Sequence, residues 1–251
     1  MILAHLDDAA LAASLAEEAG RLLLTVREQS GLAGEALGTA GDAAANSFLC
    51  EAIRAARPDD GVLSEEEKDN SGRLAKARVW IVDPVDGTRE YSEGRADWAV
   101  HVALAIDGAP VLGAVALPGL AGEVVLRSDR PYPLRPMAER PRFLVSRTRP
   151  AREAEAVARM LGGELVPMGS AGAKAMAVVR GEAEVYLHSG GQHEWDSCAP
   201  VAVAMANGLH CSRIDGSRLI YNRPDTYMPD LLVCRSELAA NVLEAVRTLR
   251  R

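Results

Sequence analysis

The sequence is short of several things, and each shortage narrows the field. No apolar run approaches the ~18 residues a membrane-spanning helix needs, and the mean hydropathy is close to zero. The first residues, Met1-Ile2-Leu3-Ala4-His5-Leu6-Asp7-Asp8, carry no basic region ahead of a long apolar stretch, so they do not read as a secretory leader. The expected setting is the cytoplasm. Cysteine is sparse: Cys50, Cys198, Cys211 and Cys234 lie far apart with no Cys-x-x-Cys. They fit neither a zinc site nor a disulfide framework, and reduced, mostly buried thiols are expected. Basic charge is outnumbered, 28 Lys and Arg against 35 Asp and Glu, for a formal net charge of −7. That argues against the basic field of a general nucleic-acid binder. A protein this acidic that handles phosphates must neutralise them locally, with metal ions or a few placed cations.

At 251 residues the chain suits one large or two small domains and can bury a substantial core. Leu11, Leu15, Ala19, Leu22 and Val26 make one apolar stripe of a helix over 8–29, with Asp7 or Asp8 as N-cap. The glycine-rich stretch 31–41 reads as loop. A second helix is expected over 42–57, with Ala45, Phe48, Leu49, Ala52, Ile53 and Ala56 inward, and Pro58 stops it. Residues 79–82 read as a central strand. The alternation over 98–106, then Asp107-Gly108 and a return run over 111–117, reads as a hairpin, and a short run over 124–126 follows. The stretch 130–142 holds four prolines and four arginines and reads as a linker. Beyond it strands and helices alternate: strand 143–145, a helix from Pro150 ended by Gly162-Gly163, strand 164–168, helix 171–180 and strand 183–187. A helix after Trp195-Asp196, short strands near 209–213 and 230–234, and a terminal helix from Ser236 complete the pattern. The fold class is therefore α+β in the N-terminal half and α/β in the C-terminal half, with no internal repeat.

The strongest local signal is Val82-Asp83-Pro84-Val85-Asp86-Gly87-Thr88. Two carboxylates three apart sit in a turn that ends an apolar strand. Pro84 fixes the backbone, and Gly87 permits close approach of a ligand. Mg²⁺ usually takes one or two carboxylates together with phosphate and water. The same residues could also be an ordinary Asp-Pro turn followed by an Asp-Gly turn. An EF-hand loop would need oxygens at alternate positions and a closing glutamate, and a phosphoaspartate-type phosphatase would need its aspartates two apart. Neither spacing is met. Glu65-Glu66-Glu67 crowds like charges that a metal would relieve, or it is a solvated charge run. Asp196, in Gln192-His193-Glu194-Trp195-Asp196-Ser197, precedes a helix and could be its N-cap. His188 and His193 lack a third soft ligand at fitting spacing and are read as non-ligands. Nothing provides a Ser-His-Asp or Cys-His nucleophile pair, and Cys198 beside Asp196 reads as packing.

Taken together, Thr39-Ala40-Gly41-Asp42, Glu65-Glu66, Asp83-Pro84-Val85-Asp86-Gly87-Thr88 and Trp195-Asp196 resemble, in order and spacing, the inositol monophosphatase superfamily over nearly the whole chain. Ser146-Arg147, Gly169-Ser170-Ala171-Gly172-Ala173-Lys174, Glu194-Trp195-Asp196 and Leu219-Ile220-Tyr221-Asn222 are most similar to its 3′(2′),5′-bisphosphate nucleotidases of CysQ type. Gly169-Ser170-Ala171 resembles the inositol phosphatases about as well. Two departures stand out. Leu37-Gly38 replaces the usual Ser-Pro before the Thr-x-x-Asp element, and the segment between Leu126 and Arg142 is shorter than the family's hairpin.

The resemblance implies a layered αβαβα sugar-phosphatase-like fold, with residues 1–130 a metal-binding subdomain and 140–251 a subdomain completing the active site. It implies that Glu65, Asp83 and the Val85 carbonyl bind one Mg²⁺, that Asp83, Asp86 and Asp196 bind a second, and that a weaker third ion sits by Glu65. Two such metals about 4 Å apart can flank an in-line displacement. Thr88, oriented by Asp42, would act with Glu65 to position and deprotonate the attacking water, with no phosphoenzyme formed. Substrate would meet Glu65, Val85, Asp86, Gly87, Thr88, Ser170, Lys174, Asp196 and Tyr221, and the Gly87 and Thr88 N–H groups would hold phosphate oxygens. Arg147, at the carboxyl end of an expected strand, would grip a second phosphate or stack on a base; otherwise it is one surface arginine among several.

The implied reaction removes the 3′-phosphate of 3′-phosphoadenosine 5′-phosphate, or of its sulfated form, to give AMP in sulfur assimilation. The implied assembly is a lithium-sensitive cytoplasmic homodimer, acting on a small-molecule phosphate ester and on neither a nucleic-acid polymer nor a membrane. An inositol-1-phosphate or fructose-1,6-bisphosphate phosphatase would share the core chemistry. A non-catalytic nucleotide or phosphate sensor would tolerate loss of Thr88 or Asp42, and neither is lost.

Overall fold

Two helices come first because two long apolar stripes do. In this computed structural model, which describes residues 3–122 and 124–250, α1 spans Asp8–Gln29 and buries Leu11, Leu15, Ala19 and Leu23. The leader reading of Met1 and Ile2 lies outside the described residues. Asp7 accepts the Ala10 N–H at 2.7 Å, as an N-cap does. The second helix, α2, spans Gly34–Ala56 and so absorbs most of the stretch expected to be loop. With no proline ahead of Asp42, nothing breaks the hydrogen-bond ladder. Gly31 and Gly34 turn the chain at positive φ, whereas Gly38 and Gly41 serve packing. A Cβ on Gly38 would stand 2.8 Å from Thr88 Cγ2, and one on Gly41 2.7 Å from Tyr91 Cε1.

The first sheet holds β1 (Gly61–Ser64), β2 (Arg78–Asp86), β3 (Ala99–Ile106), β4 (Ala109–Leu117) and β5 (Val124–Arg127) in that order. β1 and β2 are parallel and the other pairs antiparallel. The short α3 (Thr88–Ser92) follows β2. The second sheet holds β6 (Arg142–Ser146), β7 (Glu164–Met168), β8 (Val185–His193), β9 (His210–Ser212) and β10 (Tyr227–Cys234), ordered β7-β6-β8-β10-β9. Its helices are α4 (Arg152–Met160), α5 (Ala171–Val179), α6 (Glu194–Ala206) and α7 (Ser236–Leu249). Several expected boundaries move: β2 runs on through Asp83 to Asp86, where a turn was expected, α4 starts at Arg152, past Pro150, β8 runs on to His193, and β10 starts at Tyr227.

Strand side chains alternate between faces, and here that sorts them into three helical layers. Trp80, Val82, Val100, Val102, Leu104, Ala114 and Ala116 pack with α1 and α2. Val79, Ile81, Ala99, Ala103, Ala105 and Val115 pack with α5 and α6, as do Leu144, Tyr186, Leu231 and Val233 from the second sheet. Phe143, Val145, Val185, Leu187, Leu232 and Cys234 pack with α4 and α7. The order is helix, sheet, helix, sheet, helix: the αβαβα arrangement. Among the described residues no helix is long and apolar enough to cross a membrane.

Candidate active site

In a regular strand, residues three apart point to opposite faces. Asp83 and Asp86 escape this rule because the β2–β3 register shifts between them. Such a bulge re-aims a side chain, and both carboxylates turn into the middle layer. Asp196, in the first turn of α6, meets them there, and one oxygen from each of the three lies within 4.8 Å of the others. Asp83 is buried, and its Oδ1 has no hydrogen-bond partner. A buried, unpaired carboxylate oxygen is costly. Three hard oxygen donors in that position are the set a divalent cation such as Mg²⁺ or Ca²⁺ takes, so the residues fit one.

The electrostatics agree with this fit. Burial, then repulsion from Glu65, Asp86 and Asp196, holds the Asp83 carboxyl well above its ordinary range. Burial and Asp86 push Asp196 up to about 6, against the pull of its bond from the His193 N–H. Glu65 belongs to an exposed residue, yet its carboxyl loses hydration and faces Asp196, Glu66 and Asp86, which raises it to about 7. Asp86 moves the other way. Burial would raise it, but His101, Ser170 and Lys174 outweigh burial and lower it to about 2. It accepts from Ser170 Oγ, from the Ala171 N–H at 3.0 Å and from the Gly172 N–H at 2.5 Å, all at the start of α5. Ser170 adopts φ +52° to do so. Of the two readings of Asp196, the N-cap is not the one seen. It is the third residue of α6, and its Oδ2 takes the His193 N–H at 2.6 Å while the carboxylate also joins the trio.

Beside the trio, Thr88 Oγ1 lies 3.0 Å from the Val85 carbonyl and 3.4 Å from Asp42 Oδ1. Asp42 is half-buried on α2. Lost hydration and then Glu66 push it up to about 7, although the Thr88 bond pulls it back. Gly87 sits at φ +89°, in the left-handed region that favours glycine. No side chain caps α3, whose first N–H groups are thus left to other partners. A cavity of ≈ 500 Å³ opens onto Asp42 and Thr88, with Glu35, Arg89, Ser92 and Glu93 also in its wall.

Three expected substrate contacts have protein partners in this structure. Arg147 is held by Glu90 of α3 at 3.0 Å and by Glu93, just past its end, at 2.8 Å. Lys174 is buried, donating to the Gly169 carbonyl at 3.2 Å and to the Ser170 carbonyl, and burial lowers it to about 8. Tyr221 is buried, with its hydroxyl 3.2 Å from Ser197 Oγ.

Conversely, His101 was not singled out from the sequence. It is fully buried on β3, where the strand register sets it opposite Asp83. Its Nδ1 lies 3.0 Å from the Trp195 carbonyl and its Nε2 3.2 Å from Asp86 Oδ2. Burial would lower its pKa, but Asp86 and the Trp195 carbonyl raise it further. A separate cavity of ≈ 410 Å³ at the end of β6 is lined by Ser146, Arg149, Arg152, His188, Ser189 and Gly191, among others.

Comparison with known proteins adds an independent line. The inositol monophosphatase family profile matches residues 4–251. A 3′-phosphoadenosine 5′-phosphate phosphatase of Mycobacterium leprae is 50% identical over 258 aligned residues, covering 97% of this chain and 95% of that protein. The 3′(2′),5′-bisphosphate nucleotidase CysQ of Escherichia coli is 29% identical over 209 residues, covering 76% of this chain and 81% of that one. The crystal structure of CysQ from Bacteroides thetaiotaomicron matches with a TM-score of 0.77 at 25% identity, covering 92% of this chain and 98% of that one.

Proposed function

This chain belongs to the inositol monophosphatase family, and from that premise we propose that it is a magnesium-dependent phosphatase that removes the 3′-phosphate of 3′-phosphoadenosine 5′-phosphate. Water enters, the bond between phosphorus and O3′ breaks, and AMP and inorganic phosphate leave. The observation that carries this reading is the buried trio of Asp83, Asp86 and Asp196, with an unpartnered Asp83 oxygen, set beside the Thr88–Asp42 pair.

Asp83, Asp86 and Asp196 would hold one Mg²⁺, and Glu65, Asp83 and the Val85 carbonyl another. When bound, the ions supply positive charge against the charge that builds up on the phosphate oxygens. Asp42, raised to about 7 by burial and Glu66, is tuned to accept a proton close to neutral pH, and Glu65 would be ionised once it holds a cation. The Thr88 hydroxyl, with its one proton directed to the Val85 carbonyl at 3.0 Å or to Asp42 at 3.4 Å, keeps a lone pair for the attacking water, and the N–H groups of Gly87 and Thr88 would hold phosphate oxygens.

The nucleoside and the second phosphate need a site that the trio does not provide. The ≈ 410 Å³ cavity at the end of β6 supports that role. Its size lies in the range of small-ligand sites, and a strand's carboxyl end is where α/β layers bind ligands. Arg149 and Arg152 in its wall make no side-chain hydrogen bond or ion pair among the described residues, so they are free to meet a phosphate. A cytoplasmic setting and a homodimeric assembly belong to the same reading, and sedimentation velocity checks the second.

Chelator-treated protein is expected to release no phosphate from 3′-phosphoadenosine 5′-phosphate until Mg²⁺ is returned. Full turnover in the presence of excess chelator would overturn the reading.

A further inference from the structure

On β3 the residues that face the middle layer are Ala99, His101, Ala103 and Ala105, and His101 is the one polar side chain among them. An imidazole buried there loses hydration that only good partners can replace. Its Nδ1 faces the Trp195 carbonyl at 3.0 Å, and a carbonyl only accepts, so Nδ1 donates and the ring's orientation is set. That leaves Nε2 3.2 Å from Asp86 Oδ2, within ion-pair range but not aligned as a hydrogen bond, while Nδ1 is 4.0 Å from Asp83 Oδ2. One ring on β3 therefore packs against Asp86, lies at ion-pair range from Asp83, and is bonded to the residue before Asp196 on α6.

The space for that ring comes from a third element. Gly172 lies in the first turn of α5 and donates its N–H to Asp86 at 2.5 Å. Its φ is not positive, so the backbone conformation does not demand glycine. Alanine is the better helix former, and Ala171, Ala173, Ala175 and Ala177 surround it. What forbids alanine at 172 is the histidine. A Cβ there would overlap Nε2 and stand 2.9 Å from Cε1 and 3.0 Å from Cδ2.

We propose that His101 is a positioning residue for the cation-binding carboxylates, and that Gly172 is the cleared space that lets it reach them. The proposal rests on the cation-binding reading of Asp83, Asp86 and Asp196. The ring holds three mutually repelling carboxylates, borne on two elements, in one arrangement before any cation arrives. Groups that orient ligands in this way commonly contribute ten- to hundredfold in metal affinity.

The test is a calorimetric titration of chelator-treated protein with Mg²⁺, without substrate, on wild type, His101→Asn, Gly172→Ala and the double variant. Melting temperatures in chelator report the fold separately. Gly172→Ala keeps the imidazole but displaces it, so Mg²⁺ affinity is expected to fall about ten- to hundredfold, while the overpacking lowers the melting temperature by several degrees and leaves one cooperative transition. His101→Asn, too short to span both partners, is expected to lose a comparable factor. The double variant is expected to bind no more weakly than the weaker single variant, because both changes break the same link. If His101→Asn does not fold, Gly172→Ala decides alone. Folded variants that bind Mg²⁺ within about twofold of wild type, or losses that multiply in the double variant, would overturn the role of His101 alone. A wild-type protein that takes up no Mg²⁺ would overturn the cation reading and this proposal with it.

Discussion

A carboxylate can be a turn residue or a ligand, and whether its oxygens have partners decides between them. Asp86 accepts three hydrogen bonds and has the His101 ring 3.2 Å away, whereas Asp83 keeps an orphan oxygen inside the core. The proton balance follows from this crowding. Asp42 and Glu65 near 7 and Asp196 near 6 lie above the ordinary carboxylate range of about 4. A raised carboxyl favours the folded state in its protonated form. Without metal, its contribution is complete below about pH 4 and is lost as the pH rises through 6 to 7. A cation must displace those protons to bind. The rise in melting temperature on adding Mg²⁺ is therefore expected to be small near pH 5.5 and large near pH 8, and scanning calorimetry showing the opposite trend would contradict the assignment. Thr88 touches Asp42 and the Val85 carbonyl but supplies no carboxylate. Thr88→Ala is expected to lower kcat by about a hundredfold or more and to leave the Mg²⁺ titration nearly unchanged; equal loss of both would mean that Thr88 holds the cation site together. These residues were legible in the sequence because charges and a Gly-Thr pair interrupt apolar runs. His101 was not, because its partnership with Asp83 exists only through strand register and its space only through a glycine far along the chain.

At the scale of elements, α3 is tied to the second half of the chain. Its Glu90, and Glu93 just past its end, hold Arg147 from the end of β6, two and five residues beyond Thr88. Partly exposed pairs of this kind contribute about 1 kcal/mol or less. Arg147→Ala is therefore expected to lower kcat/KM for 3′-phosphoadenosine 5′-phosphate and for inositol-1-phosphate by the same small factor, about fivefold at most. Arg149→Ala, in the open cavity, is expected to raise KM for the bisphosphate by about tenfold or more while sparing the monophosphate, the loss of one charged hydrogen bond. Steady-state kinetics on both substrates separate the two. A selective loss in Arg147→Ala would mean that the guanidinium leaves its glutamates to meet substrate. The sequence placed Arg147 correctly at a strand's end but could not show that two glutamates from an earlier helix were already there. The start of α2 was misread for a related reason. Glycines at 38 and 41 look like loop residues until Thr88 and Tyr91 are seen packed against them.

At the scale of the whole molecule, the alternation of apolar runs showed an α+β half followed by an α/β half, and the layered αβαβα order came from the family resemblance. What alternation could not show was that α5 and α6 begin beside the end of β2, bringing helix starts, a bulge and a buried histidine to one point. That convergence is where the proposed chemistry sits, and the cavity at the end of β6 is where the proposed selectivity sits. Phosphate chemistry at the trio would serve any small ester, so the claim that separates this account from its nearest rival concerns the remainder of the substrate. The direct measurement is kcat/KM for 3′-phosphoadenosine 5′-phosphate and for inositol-1-phosphate, taken side by side in Mg²⁺ with one preparation. The expected result is a preference for the bisphosphate of more than about tenfold, some 1.4 kcal/mol of extra transition-state binding. Equal turnover, or a preference for inositol-1-phosphate, would contradict it.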